Sequence, residues 1–281
     1  MNVRYLAISN FVWCLAGLPV LAQVSPTIRL ATVMVPASSG LLNALLPDFE
    51  RQSGYHVQVS VANQNIYDIA RTGGVDLVIS HFGFPGAEAF VLDGLGQWPQ
   101  PIFASQAVIL GPPDDPAQIG GAADAVEAFR QIAATKSRFI VNNDPNVKVL
   151  VDVMLEAIGR PDRTDWFFDS GLEGADAADR ASSERGYTIW GIDPFLLYLK
   201  GHPLNLAVLF SNDPILQRIM VSIVVTSKSS GIVNIQGATA LQEYLKSAAV
   251  QARIRAFRYP GLPQQFWWPE AQHGLPPDKV H

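Results

Sequence analysis

The sequence predicts an α/β fold built from two successive units, each a sheet flanked by helices. Short apolar runs typical of buried strands alternate along the chain with segments whose apolar residues recur at helical spacing. A turn-rich segment, Gly111-Pro112-Pro113-Asp114-Asp115-Pro116, interrupts this alternation before it resumes. Such a segment indicates a linker or hinge between the two units.

The first unit begins with the apolar run 30–35, which we predict as a strand buried on both faces. Ser38 and Ser39 are suited to cap the following helix, in which five apolar residues between 41 and 49 share one face. Pro47 lies inside that helix, and Gly54 is placed to end it. The alternation then predicts strand 57–61, helix 66–71, strand 75–80, helix 88–92 and strand 107–110. The first three strands and their helices follow the order of a parallel sheet covered by helices.

The second unit continues the alternation after the turn-rich segment. The predicted elements are helix 123–134, strand 138–141, helices 147–158 and 175–185, strands 187–190, 206–210 and 221–226, and helix 238–257. The aromatic cluster Phe266-Trp267-Trp268 is typical of a terminal segment that packs on the body of the protein.

The first 22 residues have the pattern of a secretory signal peptide. Arg4 supplies a positive start and the apolar stretch 5–21 follows it, ending in Val20-Leu21-Ala22, so we expect cleavage after Ala22. An uncleaved membrane anchor is the alternative, although the stretch is short for a span and contains Pro19. We therefore expect an exported protein.

The composition that remains after cleavage excludes several classes of function. Cys14 is the one cysteine of the sequence and would leave with the signal, so the mature chain can form neither a disulfide nor a thiolate site. Loss of the one positive charge of Arg4 changes the formal net charge from −5 to −6. An acidic chain of this kind argues against a nucleic-acid partner.

Enzyme motifs are absent from the sequence, which has no nucleophile elbow, zinc-binding His-Glu-x-x-His, phosphate loop or dinucleotide fingerprint. We therefore predict that the protein is not an enzyme and needs no cofactor and no metal. His81 ends a predicted parallel strand, where α/β folds place ligand groups, although a hydrogen bond to the backbone is the simpler interpretation. His81 and Asp144 form the one pair that a catalytic role would use.

A series of motifs runs in order along nearly the whole mature chain. The motifs are Ser39-Gly40-Leu41-Leu42, Leu45-Leu46-Pro47-Asp48-Phe49-Glu50, Gly73-Gly74-Val75-Asp76-Leu77, Ser80-His81, Val108-Ile109-Leu110-Gly111-Pro112, Asp114-Asp115-Pro116-Ala117, Asp124-Ala125-Val126-Glu127-Ala128-Phe129, Gly186-Tyr187-Thr188-Ile189 and Phe266-Trp267-Trp268-Pro269. Together they resemble the tungstate-binding proteins of ABC importers, within the periplasmic binding-protein superfamily.

The resemblance implies a two-lobed periplasmic binding-protein fold with a ligand cleft between the lobes. After the signal peptide 1–22, residues 26–110 and 210–270 would form a discontinuous first lobe, 111–209 the second lobe, and 271–281 a flexible tail. The resemblance also implies a monomeric receptor in the periplasm. This receptor would close around a small-molecule or oxyanion solute and deliver it to an ABC permease in the inner membrane.

The loops that hold the oxyanion in that family are mostly replaced here. The family's Thr-Thr-Thr-Ser run corresponds to 32–35, where Thr32 alone keeps a hydroxyl, and its Ser-Arg-Gly-Asp-Asp-Ser-Gly-Thr run corresponds to 141–148, where Asn142 takes the arginine position and Asp144 is retained. Its Gly-Thr-Gly-Gln and Thr-Asp-Arg runs correspond to 62–65 and 190–192. Loss of an arginine beside a buried anion costs about 2–5 kcal/mol. We therefore expect another small polar solute, neutral or zwitterionic.

These loops and the polar positions beside them supply the candidate ligand-binding residues. They are Thr32, Ser38, Ser39, Asn63, Gln64, Asn65, His81, Asn142, Asn143, Asp144, Tyr187 and Trp190. The asparagines can instead cap helices and make turns. The alternative function is a binding-protein fold used as a sensor or protein-interaction component that does not transport tungstate.

Overall fold

The computed structural model describes residues 26–62, 65–229, 231–260 and 265–269. The predicted signal peptide, the tail 271–281, and the candidate residues Asn63 and Gln64 lie outside the described residues. Among the helices of the described ranges, none is both long enough and apolar enough to cross a membrane.

The described chain alternates strands and helices as the apolar pattern predicts. The strands are β1 (Thr27–Thr32), β2 (His56–Val61), β3 (Leu77–His81), β4 (Gln100–Gly111), β5 (Phe139–Ile140), β6 (Phe167–Phe168), β7 (Thr188–Gly191), β8 (Ala207–Phe210), β9 (Gln217–Val224) and β10 (Trp268–Pro269). The helices are α1 (Met34–Ser38), α2 (Leu41–Ser53), α3 (Ile66–Arg71), α4 (Ala87–Leu92), α5 (Ala125–Ala134), α6 (Pro145–Ala157), α7 (Gly174–Ser183), α8 (Ile192–Leu199), α9 (Ile235–Lys246) and α10 (Ala248–Ala256). Two 3-10 turns, Ile119–Gly121 and Pro214–Leu216, complete the described elements.

The long strand β4 belongs to two sheets of the described chain, while β5 and β6 form a separate parallel pair. Its residues 100–106 pair antiparallel with β9, whereas residues 107–111 pair antiparallel with β7 and β8. The first sheet has the order β10-β4-β9-β3-β1-β2, in which β1 runs parallel to both β2 and β3, as predicted. Strand β9, which comes late in the sequence, inserts antiparallel between β3 and β4. The chain therefore crosses between the two sheets within β4 itself.

Two clusters of buried apolar side chains correspond to the two sheets. The first surrounds β1, β3 and β9 and includes Trp267 from the C-terminal segment. The second lies around α5, α6 and β5, where the Phe129 ring is 4.9 Å from the Phe139 ring and 5.6 Å from the Trp166 ring. Burial of each such aromatic side chain stabilises the fold by about 1.5–3 kcal/mol.

Three local predictions differ from the structure. The predicted strand 30–35 is β1, which ends at Thr32, and Met34–Ser38 forms α1. Pro36 is compatible with this helix because backbone N–H groups in the first turn have no helical acceptor. The predicted helix 238–257 is two helices, since Ser247 is extended with ψ of 145°. Helix α8 was not predicted from the sequence.

Candidate functional site

A small cavity lies where residues of the two sheets meet. Its volume is about 60 Å³, which is small beside the roughly 300–1,000 Å³ of pockets that hold drug-sized ligands. The lining residues are Val35, His81, Ser105, Gln106, Asp144, Asn146, Val147, Trp190, Gly191, Ile192, Asp193, Pro194 and Arg218. The first sheet and α1 supply one wall, and the start of α6 with the β7–α8 junction supplies the other.

Strand topology brings the polar residues of the first wall together. Because β9 runs antiparallel to β3, its first residues lie beside the last residues of β3, and His81 is opposite Met220. On the other side of β9, Arg218 is opposite Ser105 of β4. His81, Ser105 and Arg218 therefore meet at one edge of the sheet although they are far apart in sequence.

Arg218 is the positively charged side chain among the described residues that line the cavity. Burial lowers the pKa of its guanidinium, and the charge of Asp144 opposes that effect. The Arg218 side chain is half-buried, makes no hydrogen bond or ion pair with another residue of the described ranges, and has its Nε buried without a partner. A buried donor of a charged group that lacks a partner is costly to maintain. The site is therefore prepared to receive an anionic group.

His81 provides a neutral imidazole beside this arginine. The residue is 8% exposed, and its Nδ1 has no hydrogen-bond partner within the described chain. Burial lowers the pKa of His81 to about 3, and the Arg218 charge acts in the same direction. A neutral imidazole has one donor and one acceptor nitrogen, so His81 can hydrogen-bond a solute without adding charge.

Asp144 supplies a negative charge from the opposite wall. Its Oδ1 accepts hydrogen bonds from the backbone N–H and the side-chain amide of Asn146, both at 2.9 Å, and so caps α6. The charge of Asp144 acts on Arg218 across the cavity, but no ion pair within 4.0 Å joins the two among the described contacts. Asp144 therefore partly offsets the arginine charge without occupying its donors.

Asp193 is a second carboxyl group in the cavity wall. It is 5% exposed and lies in the first turn of α8. The Tyr259 hydroxyl donates a hydrogen bond to Oδ1, and Trp267 Nε1 donates to the Tyr259 oxygen at 2.8 Å. The other oxygen, Oδ2, is buried without a partner in the described chain. Burial raises the pKa of Asp193 to about 7, against the lowering effect of the Tyr259 hydrogen bond.

Trp190 is the largest apolar side chain that lines the cavity. It is 5% exposed, and its ring packs edge-on against Phe195 at 6.4 Å and against Tyr198 at 6.0 Å. Val35, Val147, Ile192 and Pro194 extend this apolar wall. The cavity thus combines an apolar side with a polar side that carries both signs of charge.

Asn142 and Asn143, in the segment 141–148, hydrogen-bond to other groups of the protein. Asn142 is fully buried, and its Oδ1 accepts hydrogen bonds from the backbone N–H groups of Asp144 at 3.1 Å and Gly174 at 2.8 Å. Asn143 donates from Nδ2 to Asp169 at 3.0 Å. Neither residue lines the cavity. Their contacts match the turn and capping interpretation of these asparagines.

The candidate residues Thr32, Ser38 and Ser39 also lie outside the cavity. The Thr32 hydroxyl is buried and donates to the Val33 carbonyl at 3.2 Å. Ser39 Oγ accepts from the Leu41 N–H at 3.1 Å, at the start of α2, while Ser38 is exposed. None of the three side chains lines the cavity.

Tyr187 and Asn65 lie away from the cavity as well. The Tyr187 ring is buried in the second core, where its hydroxyl accepts from the Ala117 N–H at 2.8 Å and donates to Asp115 at 2.9 Å. Asn65 is exposed before α3. The structure therefore brings together His81, Asp144 and Trp190 from the predicted set.

Sequence reasoning missed Arg218, Asp193, Ser105 and Gln106. Arg218 had a recognisable signal, because a charged residue at the start of an otherwise apolar strand often faces a site rather than the core. Asp193 follows a predicted strand directly, at a position where α/β folds place functional groups. Gln106 is occupied, since it donates to Ser211 and accepts from Trp268, both at 2.7 Å.

His81 and Asp144, the pair that a catalytic role would use, do line the same cavity. No hydrogen bond joins the two side chains in the described part of the protein. Within the same residues, no group of three His, Cys, Asp or Glu side chains is arranged to hold a metal ion.

No protein-family model matches the chain. The chain is 26% identical over 236 residues to the tungstate-binding protein TupA of Peptoclostridium acidaminophilum. This match spans 83% of this chain and 82% of that protein. The chain is 30% identical over 172 residues to a putative ABC transporter anion-binding protein of Haloferax volcanii, which covers 60% of this chain. That match spans 50% of the Haloferax protein.

Solved structures share the fold. The tungstate-binding protein TupA from Desulfovibrio alaskensis superimposes with a TM-score of 0.74 at 24% identity, over 88% of this chain and all of that chain. A structure titled as the tungstate ABC transporter from Geobacter sulfurreducens gives 0.66 at 24% identity, over 82% of this chain and 98% of that chain. The two-lobed binding-protein fold and the resemblance to tungstate-binding proteins are thus confirmed.

Proposed function

We propose that this protein is the periplasmic solute-binding receptor of an ABC-type importer, and that its cavity binds a small solute through an anionic group. The relatives named above are a tungstate-binding protein and a putative ABC transporter anion-binding protein, which supports this proposal. The proposal includes export through the signal peptide 1–22, a monomeric receptor, no catalytic role, and an ABC permease as partner in the inner membrane.

The observation that carries this proposal is the half-buried guanidinium of Arg218 in the cavity wall, whose Nε is buried without a partner among the described residues. The family's arginine position in the second lobe is Asn142, whose side chain holds a turn. In our proposal, Arg218 on β9 supplies the positive charge from the opposite side of the cleft. An arginine fork binds carboxylate, sulfonate or phosphonate groups with two parallel hydrogen bonds.

The division into lobes is part of the same proposal. Residues 26–110 with 210–270 would move as one body and 111–209 as the other, with the solute bridging the cleft. The change of antiparallel partners within β4 supports this division, because it gives a crossover at which the two bodies could hinge. Ligand-dependent compaction in small-angle scattering would accompany closure.

The experiment is a thermal-shift and calorimetric screen of the mature protein. The solutes are tungstate, molybdate, sulfate, phosphate and small organic acids and zwitterions. A solute present at 100 times its Kd stabilises the folded state by about 2.7 kcal/mol, which raises Tm by roughly 5–10 °C for a chain of about 250 residues. We expect at least one anion-bearing solute to give a shift of this size.

The matched variants are Arg218→Gln, inside the cavity, and Arg130→Gln, on the exposed face of α5. Arg218→Gln should abolish the shift, whereas Arg130→Gln should leave it unchanged. The proposal fails if no solute stabilises the protein, which would favour the sensor alternative, or if the Arg218 variant binds as tightly as the parent protein.

A further inference from the structure

We infer that the solute is a small zwitterion, whose anionic group binds Arg218 and whose N–H donor binds Asp193. The inference rests on the proposed function, because it names the solute class of the same cavity. Two buried polar atoms of cavity-lining residues support it, a donor on Arg218 and an acceptor on Asp193, and neither has a partner in the described chain.

The first of these atoms is a donor and the second is an acceptor. Arg218 Nε is buried and donates no hydrogen bond, and Asp193 Oδ2 is buried and accepts none, in each case among the residues that the structure describes. Both residues line the cavity. A buried polar group without a partner costs about 1–3 kcal/mol. A solute with an acceptor group and an N–H donor satisfies both atoms at once.

The charge of the cavity favours a solute with no net charge. Below pH 7, where Asp193 is mostly protonated, Arg218 contributes one positive charge and Asp144 one negative charge, while His81 is neutral. Above pH 7 the Asp193 carboxylate adds a negative charge, which the ammonium group of a zwitterion would offset. A doubly charged oxyanion would find a site with no surplus positive charge, and its oxygens would offer no donor to Asp193 Oδ2. A zwitterion adds no net charge to a weakly screening cavity.

The ionisation state of the Asp193 carboxyl group affects solute binding, and the charged and titratable groups around it are known. Tyr259, from the segment after α10, donates to Oδ1, and Arg218, His81 and Asp144 share the cavity. Helix α7, which packs against α8, carries Asp179, whose carboxylate accepts a hydrogen bond from Tyr198 at 2.9 Å. With a pKa of about 7, Asp193 becomes a carboxylate as the pH rises from 6 to 8.

Because Asp193 titrates in this range, the affinity for a zwitterion and the affinity for an oxyanion should change in opposite directions with pH. An N–H donor needs the carboxylate form, so the affinity for a zwitterion should rise about tenfold from pH 6 to pH 8. An oxyanion that lacks donors needs the protonated form as its hydrogen-bond donor. Its affinity should therefore fall over the same interval.

The size of the cavity limits the candidates to solutes of a few non-hydrogen atoms, since its volume is about 60 Å³. Suitable probes are glycine, β-alanine and 2-aminoethanesulfonate. Their matched partners are acetate, propionate and ethanesulfonate, which keep the anionic group and lack the amine, and tungstate, which is a dianion. Each probe is titrated by calorimetry into the mature protein at pH 6 and pH 8, after solute carried through purification has been removed by unfolding and refolding.

We expect at least one amine-bearing probe to bind at least tenfold more tightly than its matched anion, with affinity rising towards pH 8. Asp193→Asn replaces the acceptor Oδ2 with an amide and should weaken the zwitterion at least tenfold, without weakening the matched anion. Asp68→Asn, at an exposed position of α3, is the control. Tyr259→Phe removes the hydrogen bond that stabilises the carboxylate and should move the affinity rise to higher pH.

The outcomes distinguish this inference from the proposed function. Tight binding of tungstate or of a matched anion that depends on Arg218, together with no loss in Asp193→Asn, overturns the zwitterion inference and leaves the proposed function standing. Affinity that falls from pH 6 to pH 8 also overturns it. If no probe binds in an Arg218-dependent manner, the inference and the anion-binding proposal both fail.

Discussion

Replacing Arg218 by methionine should stabilise the solute-free protein and at the same time abolish solute binding. The arginine side chain is half-buried in the cavity wall with its Nε fully buried, and no hydrogen bond or ion pair of the described structure reaches that side chain. Methionine keeps an unbranched chain as far as the position of Nε and removes the charge. The substitution therefore relieves the desolvation of the guanidinium without breaking a contact.

The expected change in unfolding free energy depends on the cost of leaving the Arg218 guanidinium without a hydrogen-bond partner. A buried polar group without a partner costs about 1–3 kcal/mol, part of which is recovered because Asp144 attracts the arginine across the cavity. We expect a gain of about 1–2 kcal/mol, which corresponds to a rise in Tm of roughly 2–8 °C for a chain of about 250 residues.

Arg29→Met is the matched control, because Arg29 also lies on a strand of the first sheet but is fully paired. It binds Asp76 at 2.6 Å and also donates to the carbonyls of Gly73 and Ile232. The Arg29 side chain is 34% exposed, whereas that of Asp76 is 1% exposed. Removing the partner of a buried carboxylate costs about 3–5 kcal/mol, and solvent screening of Arg29 reduces this to about 2–4 kcal/mol.

The assay is urea denaturation of the two variants and the parent protein, each refolded free of solute and followed by tryptophan fluorescence and circular dichroism. Opposite signs of the change in unfolding free energy are the expected result, with Arg218→Met above the parent and Arg29→Met below it. If Arg218→Met destabilises the protein by more than 1 kcal/mol, the arginine has a structural partner and the reasoning about its free charge is wrong.

Two further predictions concern the cavity and its neighbourhood. Because burial raises the pKa of Asp193 to about 7, the folded state holds a proton that the unfolded state releases near pH 4, so the unfolding free energy should fall by about 3–4 kcal/mol between pH 4 and pH 8 through this group. Urea titrations across this range should show a flatter profile for Asp193→Asn, and an unchanged profile would contradict the assignment. Asn142→Ala leaves the N–H groups of Asp144 and Gly174 without their acceptor and should lower the unfolding free energy by about 1–3 kcal/mol. Calorimetry with a solute that binds the parent protein should give a similar Kd for this variant, whereas loss of binding with unchanged stability would restore Asn142 as a ligand residue.

Much of the local structure could be predicted because it depends on neighbouring residues. The helix after Gly40 contains Pro47 and ends at Gly54, whose φ of 75° is the left-handed conformation expected for a glycine at that position. Helix α3 has the predicted bounds, Ile66–Arg71. The break at Ser247 was missed because the apolar spacing continues through it, whereas the backbone of Ser247 is extended and separates α9 from α10.

The candidate site was predicted less well than the fold. His81 was found because it follows a predicted strand, where α/β folds place ligand groups. Asp144 and Trp190 were found because they lie at positions that correspond to the binding loops of the tungstate-binding proteins. Thr32, Asn142 and Tyr187 were chosen with them, but hydrogen bonds within the protein occupy their side chains in whole or in part. A polar side chain in a loop has the same sequence pattern whether its partner is a solute or the backbone.

The class of the fold could be predicted from the amino-acid sequence alone, since apolar periodicity is a property of adjacent residues and distinguishes buried strands from helices covering a sheet. The motifs that resemble those of tungstate-binding proteins could be recognised in the same way. Which charges share the cavity depends on the tertiary structure. Arg218 meets His81 because β9 inserts antiparallel beside β3, and Asp193 keeps one oxygen without a partner because α8 begins inside the cleft. These contacts and the resulting pKa values depend on long-range strand pairing and on burial, and the local pattern of residues encodes neither the pairing nor the burial.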